Sequence, residues 1–335
     1  MAASKTRRLD LDRGKGLGIL LVVLGHIVAF EPPRGNEWYL VFKYGLYEFH
    51  MAFFMYLSGY VTFLTGAARV TPANWPRFVS NRAARLLPPF FVFWFVIVSG
   101  KLIASHFMFV DNMPSSPLEA LKSFVWNTDS SAARTVWYLI VLFALSAIVP
   151  PILWKLRGRT GLLVVIALLI YPLPIPHVLY LDHIAKFFIF FAIGGLASDA
   201  GDRWLTWIDR YYGAALVGLF VAMYVTIYLL PDLSDDTKLF ICGVISIPAL
   251  HGVVRRTRLA NSKTLMTLGV YSMAIYLLNT PCIGLVKGLM LKIVSWDGAN
   301  FIFYGPLLIA AGTLVPIWMK RHLLNRVPVV DRMTT

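Results

Sequence analysis

The chain has 335 residues, 58% of them hydrophobic and 14% charged, with a net charge of +14 and a mean hydropathy of +0.68. Soluble domains carry about 25% charged residues, so a water-soluble globular fold is excluded and an all-α, polytopic membrane protein is predicted. A spanning helix takes roughly 20 mostly apolar residues, which leaves room for about ten of them in one integral-membrane domain over residues 1–335.

Apolar segments separated by charges or turn residues predict ten helices. In chain order these are Gly14–Phe30, Tyr39–Leu64, Leu86–Ser105, Val136–Leu156, Gly161–Tyr180, Ile184–Ala200, Tyr212–Leu230, Leu239–Val254, Leu265–Ile293 and Phe301–Met319. Pro88 and Pro89 are expected to open the third, where a missing amide proton matters least. Pro172, Pro174 and Pro176 make the end of the fifth irregular. The basic N-terminus lacks a small-residue cleavage site after its apolar run and is read as a retained first helix.

The charge distribution tests the map. With the N-terminus in the cytoplasm, the inner segments hold 22 of the 31 Lys and Arg, starting with Lys5, Arg7, Arg8, Arg13 and Lys15, and 6 of the 17 Asp and Glu. The inner balance is +16 and the outer −2, as the positive-inside rule requires for ten helices with both termini cytoplasmic. Topology therefore accounts for the positive charge, and no nucleic-acid partner is expected.

Cys242 and Cys282 fall within apolar segments and read as small buried hydrophobes, not as a disulfide or metal pair. No metal site is expected from the histidine spacing. No Walker motif, dinucleotide fingerprint or Gly-x-Ser-x-Gly occurs.

Two histidines lie inside apolar segments, His26 in the first and His50 in the second. Ionisable groups are expensive in a bilayer and mark function by default. Histidine exchanges protons near neutral pH, although such a residue also serves as a helix–helix hydrogen-bonding group. Lys15 precedes His26 by eleven residues, about 16 Å along a helix. That puts Lys15 at the cytoplasmic surface and His26 past the midplane. Asp12 is read as a cap of the first helix. Glu48 lies in the outer leaflet as an anchor or an acceptor contact. Ser58-Gly59 reads as a close-packing site, and Asp182 with Lys186 as an i,i+4 pair on a solvated rim. His106, His177, His251 and His322 read as loop or interfacial residues.

The stretch from Asp12 through Lys15 to His26 resembles the opening of the membrane acyltransferase-3 family, a basic residue followed after ten positions by histidine. Phe49-His50-Met-Ala-Phe-Phe-Met-Tyr-Leu-Ser58-Gly59-Tyr60 is similar to the family's second-helix motif. Asn81-Arg82-Ala-Ala-Arg85-Leu-Leu-Pro88 is similar to its Arg-x-x-Arg-Leu-x-Pro stretch. Trp137-Tyr138-Leu139 and Tyr271-Ser272-Met-Ala-Ile-Tyr276-Leu-Leu-Asn279 are fainter echoes. The chain departs from the pattern at Lys15, where many relatives carry arginine, and at Asn279, where relatives often have histidine. Asparagine is no base at neutral pH, and Asn279 is given no catalytic role.

The resemblance implies an acyl-coenzyme A-dependent O-acyltransferase of the bacterial inner membrane. Acetyl-coenzyme A is the expected donor, and the acceptor is a hydroxyl of a lipid-linked or exported polysaccharide. It implies His26 as the catalytic base and Lys15, Arg82 and Arg85 as donor-binding cations. Arginine forks suit the coenzyme's phosphates. His50 is expected to orient the site or to donate to the leaving thiolate. Glu48, Trp137 and Tyr138 are the candidate acceptor-binding residues, and membrane lipid is the surrounding partner. The competing readings are a proton-coupled transporter with His26 and His50 as relay groups and a structural subunit of an export complex.

Overall fold

A computed structural model describes residues 8–28, 32–108, 110 and 113–334; Lys5, Arg7 and Phe30 lie outside them. Every regular element among the described residues is a helix, with one isolated β-bridge between Arg34 and Asp297 and no strand. The helices are α1 (Leu9–His26), α2 (Trp38–Tyr47), α3 (His50–Leu64), α4 (Trp75–Ala104), α5 (Pro117–Val125), α6 (Trp137–Lys155) and α7 (Thr160–Ile170). They continue as α8 (Leu181–Ala200), α9 (Asp202–Tyr224), α10 (Asp235–Arg256), α11 (Lys263–Val270), α12 (Ser272–Met290), α13 (Phe301–His322) and α14 (Pro328–Met333). Among the described residues, seven helices are long and apolar enough to cross a membrane: α4, α6, α8, α9, α10, α12 and α13.

α1 lies at the centre, against α2, α3, α10, α11, α12 and α13. Its glycines make this packing possible. A Cβ on Gly16 would run into the Leu265 carbonyl of α11, and one on Gly269 of α11 into the Asp12 carbonyl of α1. The two backbones therefore touch at a reciprocal pair of small residues, the usual device for close helix crossings in membranes. α3 and α8 repeat it, with Gly59 against the Phe191 carbonyl and Gly194 against that of Tyr56. The close-packing expectation for Ser58-Gly59 holds.

The first turn of α1 is tied down by charge. Asp10 is buried and takes Arg8 at 2.8 Å and Arg255 at 3.0 Å. Arg255 forks onto both oxygens of Asp209 at 2.9 Å. His251, fully buried on α10, has one ring nitrogen 2.8 Å from the Tyr56 hydroxyl and the other 3.4 Å from Asp10. His251 is thus a core residue, not an interfacial one. This cluster explains why α1 begins at Leu9, five residues before the predicted start. Asp12 then lies within the helix, 3.9 Å from Lys15, and is not its cap.

Other predicted helices are also interrupted, extended or shortened: the fifth ends at Ile170, before Pro172, and the seventh begins at Asp202. The second breaks into α2 and α3 at Glu48 and Phe49. The ninth breaks at Tyr271, where α11 turns into α12. The third begins earlier, as the 30-residue α4, so Pro88 and Pro89 lie inside it. The carbonyls those prolines cannot engage belong to Ala84 and Arg85, both exposed, so the missing bonds fall where polar surroundings can replace them.

Gly59→Ala or Gly194→Ala places a methyl against main chain and is expected to destabilise by about 1–3 kcal/mol. Thermal unfolding in detergent should fall accordingly, while Gly213→Ala, on an open face of α9, should leave it unchanged.

Candidate functional site

α1 ends at His26, and its last carbonyls have no partner within the helix. α2 supplies them: the Tyr47 hydroxyl donates to the Gly25 carbonyl at 2.9 Å, and the Tyr39 hydroxyl donates to that of Leu24. The end of α1, and with it the His26 ring, is pinned from outside the helix.

The ring is fixed by α12. His26 Nδ1 lies 2.6 Å from Asn279 Oδ1. Asn279 Nδ2 donates to the Ile275 and Tyr276 carbonyls, each at 2.8 Å. Both amide hydrogens are thereby used, and the oxygen must face the imidazole. An amide oxygen only accepts, so Nδ1 of a neutral ring carries the proton and Nε2 is the basic nitrogen. Thr280 Oγ1 donates to the same amide oxygen at 3.2 Å. The pairing of Asn279 with His26 joins residues on distant helices and leaves no mark in the spacing of either segment.

His50 is 5% exposed and is the first residue of α3. Its Nδ1 donates to the Leu46 carbonyl at 2.6 Å, the acceptor that its own amide would use in an unbroken helix. The side chain thus takes over the backbone's bond at the break. Neighbouring Glu48 is buried, where Thr226 Oγ1 donates to its carboxylate at 2.8 Å and Cys242 Sγ at 3.1 Å. Thr226 belongs to a π-helical turn, Val225–Leu229, that prolongs α9. Glu48 therefore fastens the α2–α3 break to α9 and α10, away from both cavities described next.

His26 lies on the wall of two cavities. The first, of about 360 Å³, is mainly apolar, lies among α1, α2, α4 and α12, and carries Lys43, Lys101 and Lys287. Lys287 lies over the Trp296 ring at 4.5 Å. The second, of about 370 Å³, has more polar side chains on its wall and is termed the polar cavity; it is lined by His26, His50, Trp137, Asp182, His183 and Lys186 among others. Tyr47 and Thr135 also border both.

Of the residues singled out in the sequence, His26, His50 and Trp137 therefore meet at the polar cavity. Tyr138 does not; it is buried, its hydroxyl bonded to Ser58 and its amide donating to the Tyr276 hydroxyl at 3.1 Å. Lys15, Arg82 and Arg85 line neither cavity. Arg82 lies over the Phe78 ring at 5.4 Å, and Arg85 is exposed on the same helix. Asp182 is not part of a solvated i,i+4 pair. It is buried and meets His177, whereas Lys186 reaches Asp236 at 2.8 Å.

Residues 8–321 match the family described as acyltransferase domain. Two curated relatives are both called nodulation protein NolL. The one from Sinorhizobium fredii is 33% identical over 110 residues, covering 32% of this chain and 29% of the relative. The one from Mesorhizobium japonicum is 27% identical over 144 residues, covering 42% and 35%. The chain thus spans about a third of the length of these relatives. No solved structure matches it.

Ring-nitrogen NMR of labelled histidine should find neutral His26 with its proton on Nδ1 alone. Asn279→Leu should give a mixture of tautomers. A proton on Nε2 in the unaltered protein would contradict the assignment.

Proposed function

The chain belongs to the acyltransferase-domain family, and from that membership we propose that it carries an acetyl group from cytoplasmic acetyl-coenzyme A to a hydroxyl of a lipid-linked or exported glycan. The protein works in the bacterial inner membrane as a single domain of ten spans with both termini in the cytoplasm. α1, the α2–α3 pair and α7 complete the ten beside the seven long apolar helices. The excess of Lys and Arg on the inner loops supports this topology.

His26 carries the reading. It stands on the wall common to a polar and an apolar cavity, with Nε2 as its basic nitrogen. A base so placed can serve an alcohol in one space and a thioester in the other. His26 Nε2 takes the proton of the acceptor hydroxyl as its oxygen attacks the thioester carbonyl. The carbon–sulfur bond breaks, and the proton passes to the leaving thiolate. The products are an ester and free coenzyme A. Neutral His50, with Nδ1 committed to Leu46, offers Nε2 as an acceptor and orients the incoming hydroxyl. The polar cavity, with Trp137 on its wall, takes the acceptor. The apolar cavity takes the acyl end of the donor. Lys15, Arg82 and Arg85 hold the donor's phosphates at the cytoplasmic edge, which their place at or before the first turns of the apolar segments supports.

Protein in lipid nanodiscs should acetylate the base-treated surface polysaccharide of the producing cells. His26→Ala should lower that rate by about 10²–10⁴-fold while unfolding at the same temperature. Transfer at the unaltered rate would overturn the base role. Acetyl-coenzyme A, but not free acetate, should raise the unfolding temperature, and Arg82→Ala with Arg85→Ala should abolish the rise.

A further inference from the structure

We infer that Asp182, His183 and Trp137 form the subsite that grips the acceptor, and that it selects a neutral, polyhydroxylated sugar ring. The inference rests on the acyl-transfer reading above and narrows its acceptor.

Asp182 stands in the first turn of α8 and is 1% exposed. Its Oδ2 is 2.9 Å from His177 Nδ1. His183 Nδ1 is 2.8 Å from the same oxygen but off the hydrogen-bond direction. Its Oδ1 is enclosed and has no hydrogen-bond partner. A buried carboxylate oxygen left without a donor is costly and rare in native proteins. The lysine one turn along the helix does not neutralise it, because Lys186 is drawn to Asp236. The residue lies on the wall of the polar cavity, together with both site histidines. Once the carboxyl turns toward the cavity, a ligand hydroxyl supplies the donor this oxygen lacks, and bonds to an ionised acceptor are the strong ones.

The surroundings point the same way. Trp137, the first residue of α6, packs against the His183 and Phe187 rings at 4.8 and 4.7 Å and keeps part of its surface on the cavity. A few polar groups among aromatic walls are the pattern of small-molecule sites, and about 370 Å³ lies within their size range. Asp182, Asp235 and Asp236 outnumber Lys186 on this wall, so the cavity disfavours an anionic ring and suits a neutral one. Leu179 and Tyr180, both with φ above 50°, form the turn that delivers Asp182 to this wall.

The test uses nanodisc protein, acetyl-coenzyme A and the base-treated surface polysaccharide of the producing cells. Asp182→Asn and Trp137→Ala should each raise the KM for the polysaccharide about tenfold. The KM for acetyl-coenzyme A should stay within about twofold, a split that general loss of structure would not give. Trp137→Phe, which keeps a ring face, should come back to within about threefold of the unaltered KM. Unaltered polysaccharide KM in Asp182→Asn and Trp137→Ala overturns the subsite, as does a fall in kcat with both KM values unchanged. If Asp182→Asn does not fold, the Trp137 pair decides by the same measure. A folded, unaltered protein that acetylates no polysaccharide overturns the acyl-transfer reading itself, a result distinct from transfer with insensitive variants.

Discussion

Where α1 ends in space depends on close backbone contact along its length. The Gly16–Gly269 crossing brings α1 and α11 together with no side chain between them, and the Arg8–Asp10–Arg255 cluster anchors the first turn. With one end and the middle so held, the other end has a defined position. That lets a side chain on α12 meet the His26 ring at 2.6 Å. A hydrogen bond between residues 253 positions apart is short-ranged, and a small slip of α1 would break it. The glycine face is thus as necessary to the site as the histidine.

The two cavities differ in kind although they share a wall. One carries three lysines among apolar side chains; the other carries three aspartates, three histidines and Lys186. A transferase must bring together an acyl donor and an alcohol while limiting attack by water. Two spaces with different linings, meeting at one imidazole, fit the proposed division between donor and acceptor. The single tautomer adds to this. With Nδ1 committed to Asn279, the ring is held in one orientation at the shared wall, the kind of preorganisation that the proposed base role calls for.

The sequence made visible what is local. Apolar length marked the seven long apolar helices, and the place of His26 in its segment marked the wall shared by the two cavities, because hydropathy and helical spacing act over a few turns. It did not reveal the partners. Asn279 looked like a departure from a pattern, Asp182 like half of a surface pair and His251 like an interfacial ring. Each owes its role to a residue or cavity on another helix. Periodicity cannot report such pairings. The break between α2 and α3 was also hidden, since it comes from a side chain competing with the main chain, not from a glycine or proline. At Pro88 and Pro89 a sound local rule failed because α4 tolerates the lost bonds at exposed carbonyls.

That competition at position 50 makes the two histidines unequal as objects of genetics. The imidazole of His26 hangs from a helix whose course owes nothing to it, so replacing it subtracts a ring and leaves the main-chain path standing. The imidazole of His50 is itself a strut in the bend, standing in for a peptide hydrogen at Leu46. A change at position 50 therefore touches the course of the main chain as well as the ring. A change at position 26 removes the ring and its bond to Asn279 and leaves the bend between α2 and α3 as it is.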